Sequence, residues 1–478
     1  MRRLSPVLLA ATLIMLANTA LAQDAAGPRP VRDAGARPSL VSARHAEAQR
    51  AGMRALHLCT GLFASEMPRD LVERTAGRAS AGLPTEIDEQ AKTVSVTYRA
   101  DMPPRIAVWR PVLGCTQLPI GATAEFAAAL PSPAADVAAP DLDARPWPIG
   151  DAGAAARLAK AKAAGLEKVL DEAFRDQEGA YRGDTWGVVV VKDGRIVAER
   201  YAEGFGPHVA ARTNSMCKSL AATLVGLGVH RGLLDLHRKA PLAEWRRPGD
   251  PRGQITLDHM MHMASGLYTE AGGNPQGDLY QSGAAAAEVS ALNMVDARPG
   301  ERFVYAGSDT ILLVRALRQA VADDATFMTW PHRELLWKLG MTRTLMETDW
   351  NSDFLASGQC WSTARDFGRF GMLYLADGMW NGERLLPEGW ARYVSTPAPA
   401  QPASAAAGGA RYGAQFWLYG GDEGLPADAY SPGGALGQYA MIVPSKNLVV
   451  VRRGLDIGAG FKIARFSADV IAALEAGR

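Results

Sequence analysis

Ser215-Met216-Cys217-Lys218 sets a hydroxyl and an amine three residues apart at the head of an apolar run. A serine hydroxyl is a weak nucleophile near neutral pH and needs a base beside it. On a helix, residues three apart share a face, so Lys218 would stand one turn from Ser215. A helix N-terminus adds backbone N–H groups and a positive dipole end, and both favour developing negative charge. Nucleophile, base and electrostatic support would then come from four consecutive residues. A capping serine followed by a solvent-facing lysine would give the same string. No other Ser-x-x-Lys occurs in the chain.

Two later segments could complete such a site. Phe303-Val304-Tyr305-Ala306-Gly307-Ser308-Asp309 sets a phenol just before a helical run. Ser431-Pro432-Gly433-Gly434-Ala435-Leu436-Gly437-Gln438 sets small residues at the edge of a strand. Other chemistries are poorly served. No Gly-x-Ser-x-Gly elbow occurs, which speaks against a Ser-His-Asp hydrolase built on that turn. His259 and His262 lie three apart without the glutamate of His-Glu-x-x-His. Packing or surface roles are expected for them, with no metal and no cofactor. A net charge of +1 without a basic stripe argues against a nucleic-acid partner.

These residues need elements to hold them. The 478 residues, 48% hydrophobic and 21% charged, suffice for two or three globular domains. Arg2 and Arg3, an apolar core at 4–17 and Ala20-Leu21-Ala22 read as a secretory signal over residues 1–22. That core is shorter than the roughly 20 residues of a membrane span. An exported protein, periplasmic or secreted, with no membrane anchor after cleavage is expected. Residues 23–45 read as a flexible lead-in, 46–120 as a small N-terminal domain, 121–145 as an Ala/Pro-rich linker and 146–478 as the domain that carries the chemistry. Export permits disulfides. Cys59 and Cys115 could pair inside the small domain, which would pack on the larger one or restrict its cleft. Cys217 and Cys360 could be bridged or remain buried thiols.

In the large domain, β-rich runs at 186–191 and 196–201 flank Lys192-Asp193-Gly194-Arg195, a hairpin signal. A second hairpin is expected at 439–452 around Pro444-Ser445-Lys446-Asn447. The apolar run after Lys218 predicts a buried helix to about His230. Residues 250–400 read as mainly helical and 464–475 as a closing helix. This order implies an α+β fold: an antiparallel sheet flanked by helices, with an all-helical lobe. The loop 268–283, with four glycines and Tyr280, could act as a lid that offers Tyr280 to a substrate. Trp147, Trp186, Trp350, Trp361 and Trp417 could line a cleft or pack in the core.

Ser215-x-x-Lys218, Tyr305 and the 431–438 run resemble, in order and separation, the boxes of the penicillin-recognising serine hydrolases. These are the class C β-lactamases, the DD-peptidases and their esterase relatives. The likeness covers roughly residues 145–478 in short pieces. The segment ending Ser265-Gly266-Leu267, the run Ser362-Thr363-Ala364-Arg365-Asp366 with Arg369 and Gly371, and Trp380-Asn381-Gly382-Glu383 with Leu386-Pro387-Glu388-Gly389-Trp390 each resemble family segments. Gly437-Gln438-Tyr439 leading to Val449-Val450-Val451-Arg452 looks most like relatives of 6-aminohexanoate-dimer hydrolase.

The resemblance implies the β-lactamase/DD-peptidase fold over 146–478 and a small-molecule ester, amide or peptide-like substrate. It makes Ser215 the acylated nucleophile and Lys218 its base. Tyr305 would protonate the leaving group, its phenol pKa lowered by the nearby ammonium. The backbone N–H groups of Ser215 and Gln438 would form the oxyanion hole, with Ala435 and Gly437 bordering the substrate. Two departures matter. The Tyr box normally reads Tyr-x-Asn, and Gly307 stands in the Asn place. The third box normally opens with Lys or His, and Ala435 stands there when counted back from Gly437-Gln438. Both losses weaken the case for β-lactam or D-Ala-D-Ala substrates and favour an esterase or amidase. A catalytically inactive relative that binds peptides is the alternative from another class.

Overall fold

The computed structural model describes residues 43–269, 279–458 and 460–476. The expected signal, most of the lead-in and the middle of the glycine-rich loop lie outside the described residues. No described helix is long and apolar enough to cross a membrane.

The described part opens with helix α1 (Ala43–Phe63), which packs on a four-stranded antiparallel sheet. Its strands are β1 (Thr85–Asp88), β2 (Thr93–Val96), β3 (Arg105–Arg110) and β4 (Gly114–Gln117), in that order. Val94 and Val96 alternate with Thr93 and Ser95, so one face of β2 is buried against the helix. Cys59 and Cys115 form a disulfide between α1 and β4. The core of this unit is not closed on itself, since Ala210, Leu345 and Trp361 from later in the chain complete it. Polar contacts cross the same junction. The Arg110 guanidinium donates to the Asp349 carbonyl at 3.2 Å, and the Thr116 hydroxyl donates to the Thr348 carbonyl at 3.1 Å. The unit is therefore built into the wall of the larger part. Within 121–145 the chain forms a short helix, Ala124–Ala128, and Asp143 is gripped by both terminal nitrogens of Arg343 at 2.8 and 2.6 Å.

Helix α2 (Lys160–Ala173) leads into the expected hairpin of β5 (Thr185–Lys192) and β6 (Arg195–Tyr201). Asp193 and Gly194 both take positive φ, 50° and 76°, the left-handed pair that a two-residue turn between twisted strands requires. Strand β7 (Ala211–Arg212) then delivers the chain to α3 (Met216–His230), whose positions 216–228 are all buried. The stretch expected to be mainly helical holds two long helices, α4 (Gly307–Val321) and α5 (Ala364–Leu375), among shorter ones. Short strands interrupt it, among them β8 (Leu345–Met346) and β9 (Cys360–Ser362), which pair with β7 in the order β7-β9-β8.

The C-terminal part supplies β10 (Arg411–Tyr412), β11 (Trp417–Leu418), β12 (Tyr430–Ser431), β13 (Gly433–Gly434), β14 (Gln438–Val443), β15 (Leu448–Gly454) and helix α6 (Ile463–Glu475). The main sheet runs β10-β11-β12-β14-β15-β5-β6, with β13 also on β14, and its pairs are antiparallel. Val188 and Val190 face a core shared with α2 and α6, while Val189 and Val191 face the core of α3 and α5. Burial on both faces explains the unbroken valine run in β5. Gly371 lets α5 lie close on β15: a Cβ there would fall 2.5 Å from a Val449 methyl.

Candidate active site

Asn214 precedes Ser215 with φ at 50°, a left-handed conformation that asparagine tolerates better than most side chains. Ser215 is the N-cap of α3, yet its side chain makes no capping hydrogen bond. Ser215 stays partly exposed at the head of a buried helix. Two ties hold this corner. A second disulfide, Cys217–Cys360, joins the first turn of α3 to β9, with Cα atoms 5.6 Å apart. The buried Arg453 guanidinium donates to the carbonyls of Ala211, Arg212 and Ser362 at 2.6–2.9 Å and so clamps β7 and β9 to β15.

Lys218 is 1% exposed. Its Nζ lies 3.3 Å from Ser215 Oγ and donates to the Ser357 carbonyl at 2.6 Å. It also stands 4.9 Å from the centre of the Tyr305 ring. Burial pushes the Lys218 amine down to about 7 from its usual 10.5. A surface lysine, as in the capping alternative, would have neither property.

Tyr305 comes from the turn before α4. Its ring packs against Trp417 at 5.3 Å and edge-on against Tyr412 at 5.8 Å. Burial raises its phenol pKa, and the Ser215 hydroxyl opposes this only in part through a hydrogen bond. This corrects the expectation of a lowered phenol: Lys218 Nζ stands over the face of the ring, and desolvation of the buried phenol sets the direction of the shift. Of the five tryptophans named above, Trp417 stands beside Tyr305. Trp147 lies under Arg369, Trp186 stacks on Phe205, Trp350 bonds the Gly283 carbonyl, and Trp361 is packed on His57.

The glycine-rich run meets this corner through Gly434 and Ala435. A Cβ on Gly434 would fall 2.3 Å from the Thr213 carbonyl. The Asn214 amide donates to the Ala435 carbonyl at 2.8 Å, and Ala435 is exposed. Gly437 and Gln438 are buried one hairpin turn further on. The Gly437 carbonyl accepts from Arg452 at 2.8 Å, and Gln438 Oε1 accepts from Arg453 at 2.8 Å. Ala435, among the residues expected from the run, therefore meets Asn214, the residue before Ser215. β12 and β13 contain no lysine, arginine or histidine. Tyr280 is also displaced from its expected place on a lid. It is buried, and its hydroxyl pairs with Ser357 Oγ at 2.5 Å.

Sequence reasoning missed several supports. Ser357 has no local signal, because its carbonyl meets Lys218 across 139 positions. Gln415 ties three segments at once: its carbonyl accepts from Ser219, its Oε1 from Thr310, and its amide donates to the Met260 and Met261 carbonyls. Ser265 donates to Asp309 at 2.7 Å, and burial pushes that carboxyl up to about 7. His259 and His262 serve structure: His259 closes a capping box with Thr256, and His262 packs on Tyr393.

Comparison with known proteins follows the same lines. A family model described as Beta-lactamase matches residues 170–452. Among solved structures, a protein named provisionally as a 6-aminohexanoate-dimer hydrolase from Bacillus anthracis is 21% identical. The match covers 64% of this chain and 80% of that one, with a TM-score of 0.52. A family VIII carboxylesterase is 13% identical over 67% of this chain and 98% of its own, also at 0.52. A penicillin-binding protein homolog from Caulobacter crescentus is 14% identical over 66% and 99%, at 0.51. No curated protein matches the sequence.

Proposed function

The chain belongs to the β-lactamase family, and on that premise we propose that it cleaves an ester or amide through an acyl-enzyme on Ser215. One observation carries the reading: the Ser215 hydroxyl sits 3.3 Å from an amine that burial holds near pKa 7. At neutral pH a large share of Lys218 is unprotonated and can accept the serine proton as Oγ attacks the carbonyl carbon.

The negative oxygen that forms would be met by backbone N–H groups at the head of α3 and on the Gly434-Ala435 edge, one pairing step from Gln438. Each such donor is worth about 3–4 kcal/mol in other serine hydrolases. Tyr305, with its phenol held protonated, gives its proton to the leaving group as the tetrahedral species collapses, and Lys218 restores that proton. Water then attacks the acyl carbon, the same groups move its proton, and the acid product leaves with Ser215 regenerated.

The cation-free edge and Gly307 support a neutral ester or linear amide over β-lactams and D-Ala-D-Ala peptides. The likeness to a carboxylesterase and to a 6-aminohexanoate-dimer hydrolase points the same way. The two disulfides and the 1–22 signal pattern support export. Labelling with a fluorophosphonate and mapping the adduct by peptide mass spectrometry tests the reading. The adduct belongs on Ser215 and is lost in Lys218→Ala. A folded protein that takes no label contradicts it.

A further inference from the structure

We infer that Tyr280 is a positioning residue for Lys218, and that the N-terminal unit holds it in place. The inference rests on the hydrolase reading and deepens it.

The position two residues after Tyr305 is Gly307, and the space beside it is filled by another residue. A Cβ on Gly307 would fall 2.5 Å from the Tyr280 hydroxyl oxygen and 3.2 Å from Ser357 Oγ. A Cβ on Gly358 would fall 3.2 Å from Tyr280 Cζ. Two glycines thus make room for one phenol. That phenol pairs with Ser357 Oγ at 2.5 Å, and the Ser357 carbonyl accepts from Lys218 Nζ at 2.6 Å. A continuous line runs Tyr280, Ser357, Lys218, Ser215. The phenol also excludes water from the gap beside Gly307 and Gly358, and a dry surround is what keeps the amine readily deprotonated.

The backbone that follows Tyr280 packs against the N-terminal unit. A Cβ on Gly52 of α1 would fall 2.5 Å from the Gln281 carbonyl, and the Gln281 amide contacts the Met53 sulfur at 3.3 Å. Gly283, at φ 74°, lies so close that a Cβ would fall 2.4 Å from the Leu118 carbonyl. From the other side Trp350 Nε1 donates to the Gly283 carbonyl at 2.9 Å. Residues 281–283 are therefore held between α1, the end of β4 and Trp350, with Tyr280 projecting from them toward Ser357.

The test is the rate of fluorophosphonate labelling at Ser215 across pH 5–10 in the full-length protein. Tyr280→Phe deletes the hydroxyl and admits water beside Ser357. It should slow labelling at pH 7 by about fivefold, the scale of one lost hydrogen bond, and raise the midpoint of the pH profile by about half a unit. Gly52→Val, about 2.5 Å from Gln281 and out of contact with Ser215, should act in the same direction. It should add little in the Tyr280→Phe background. Met53→Ala replaces Gly52→Val if that variant does not fold. An unchanged rate and midpoint in Tyr280→Phe overturn the inference while leaving the hydrolase reading intact, as do effects that multiply in the double variant. Wild-type protein that takes no label at Ser215 overturns both.

Discussion

A buried lysine beside a serine carries a cost that function repays, and the cost can be measured. Lys218 has a folded-state pKa near 7, against 10.5 when exposed. Between those values the unfolded chain binds more protons than the folded one, so stability rises with pH from about 7 to about 10.5. Below about 7 the buried ammonium is a constant burden. Lys218→Met should raise Tm by several degrees at pH 6, flatten this pH dependence and abolish labelling at Ser215. A lower Tm at pH 6, measured by calorimetry, would contradict this view of the residue. Tyr305 carries a second prediction. With its phenol pKa raised, it is a proton donor throughout the working range, so Tyr305→Phe should lower kcat by about a hundredfold or more with little change in KM. An equal loss confined to KM would assign it to binding instead.

At the level of elements, three pieces must meet at one corner: the head of α3, the turn before α4 and the Gly434-Ala435 edge. Gly434→Ala tests that meeting, because the added methyl would press on the Thr213 backbone, which has nothing flexible to yield. Misplacing the edge by a fraction of an ångström should cut kcat/KM tenfold or more. Gly206→Ala, where a methyl meets open space, should leave it unchanged. What the sequence made legible here was local. Ser215 and Lys218 are one helical turn apart, and Asp193-Gly194 announces its own hairpin. The 431–438 run was harder. Its glycines fit several registers, and the run folds back on itself so that Gly434 faces Gln438 across a strand pair, Ala435 is exposed near Asn214, and Gly437 and Gln438 contact Arg452 and Arg453. Tyr305 does stand beside Lys218, but its phenol shifts upward rather than downward. That sign depends on how deeply the ring packs against Trp417 and Tyr412, which no local pattern encodes.

Over the whole molecule, long-range contacts decide what the sequence left open. The Cys217–Cys360 bridge spans 143 positions and became visible only when β9 came to lie beside the head of α3. Cys59–Cys115, 56 apart, is the pairing that position in the chain suggested. In the loop-entropy account the two constrain the unfolded chain by about 5 and about 4 kcal/mol. Replacing Cys217 and Cys360 with alanine should therefore lower both the urea midpoint and the labelling rate, since that bridge anchors the nucleophile. Replacing Cys59 and Cys115 should act mainly on the midpoint. Equal urea midpoints for all three proteins would contradict this. The central claim, an acyl-enzyme on Ser215, is tested most directly by rapid-mixing kinetics with a p-nitrophenyl ester and intact mass on quenched samples. The account predicts a burst close to one equivalent per active chain, and an acyl adduct that maps to the Ser215 peptide and disappears in Ser215→Ala. Turnover of the ester without a burst and without an adduct on that peptide, equally fast in Ser215→Ala, would contradict it.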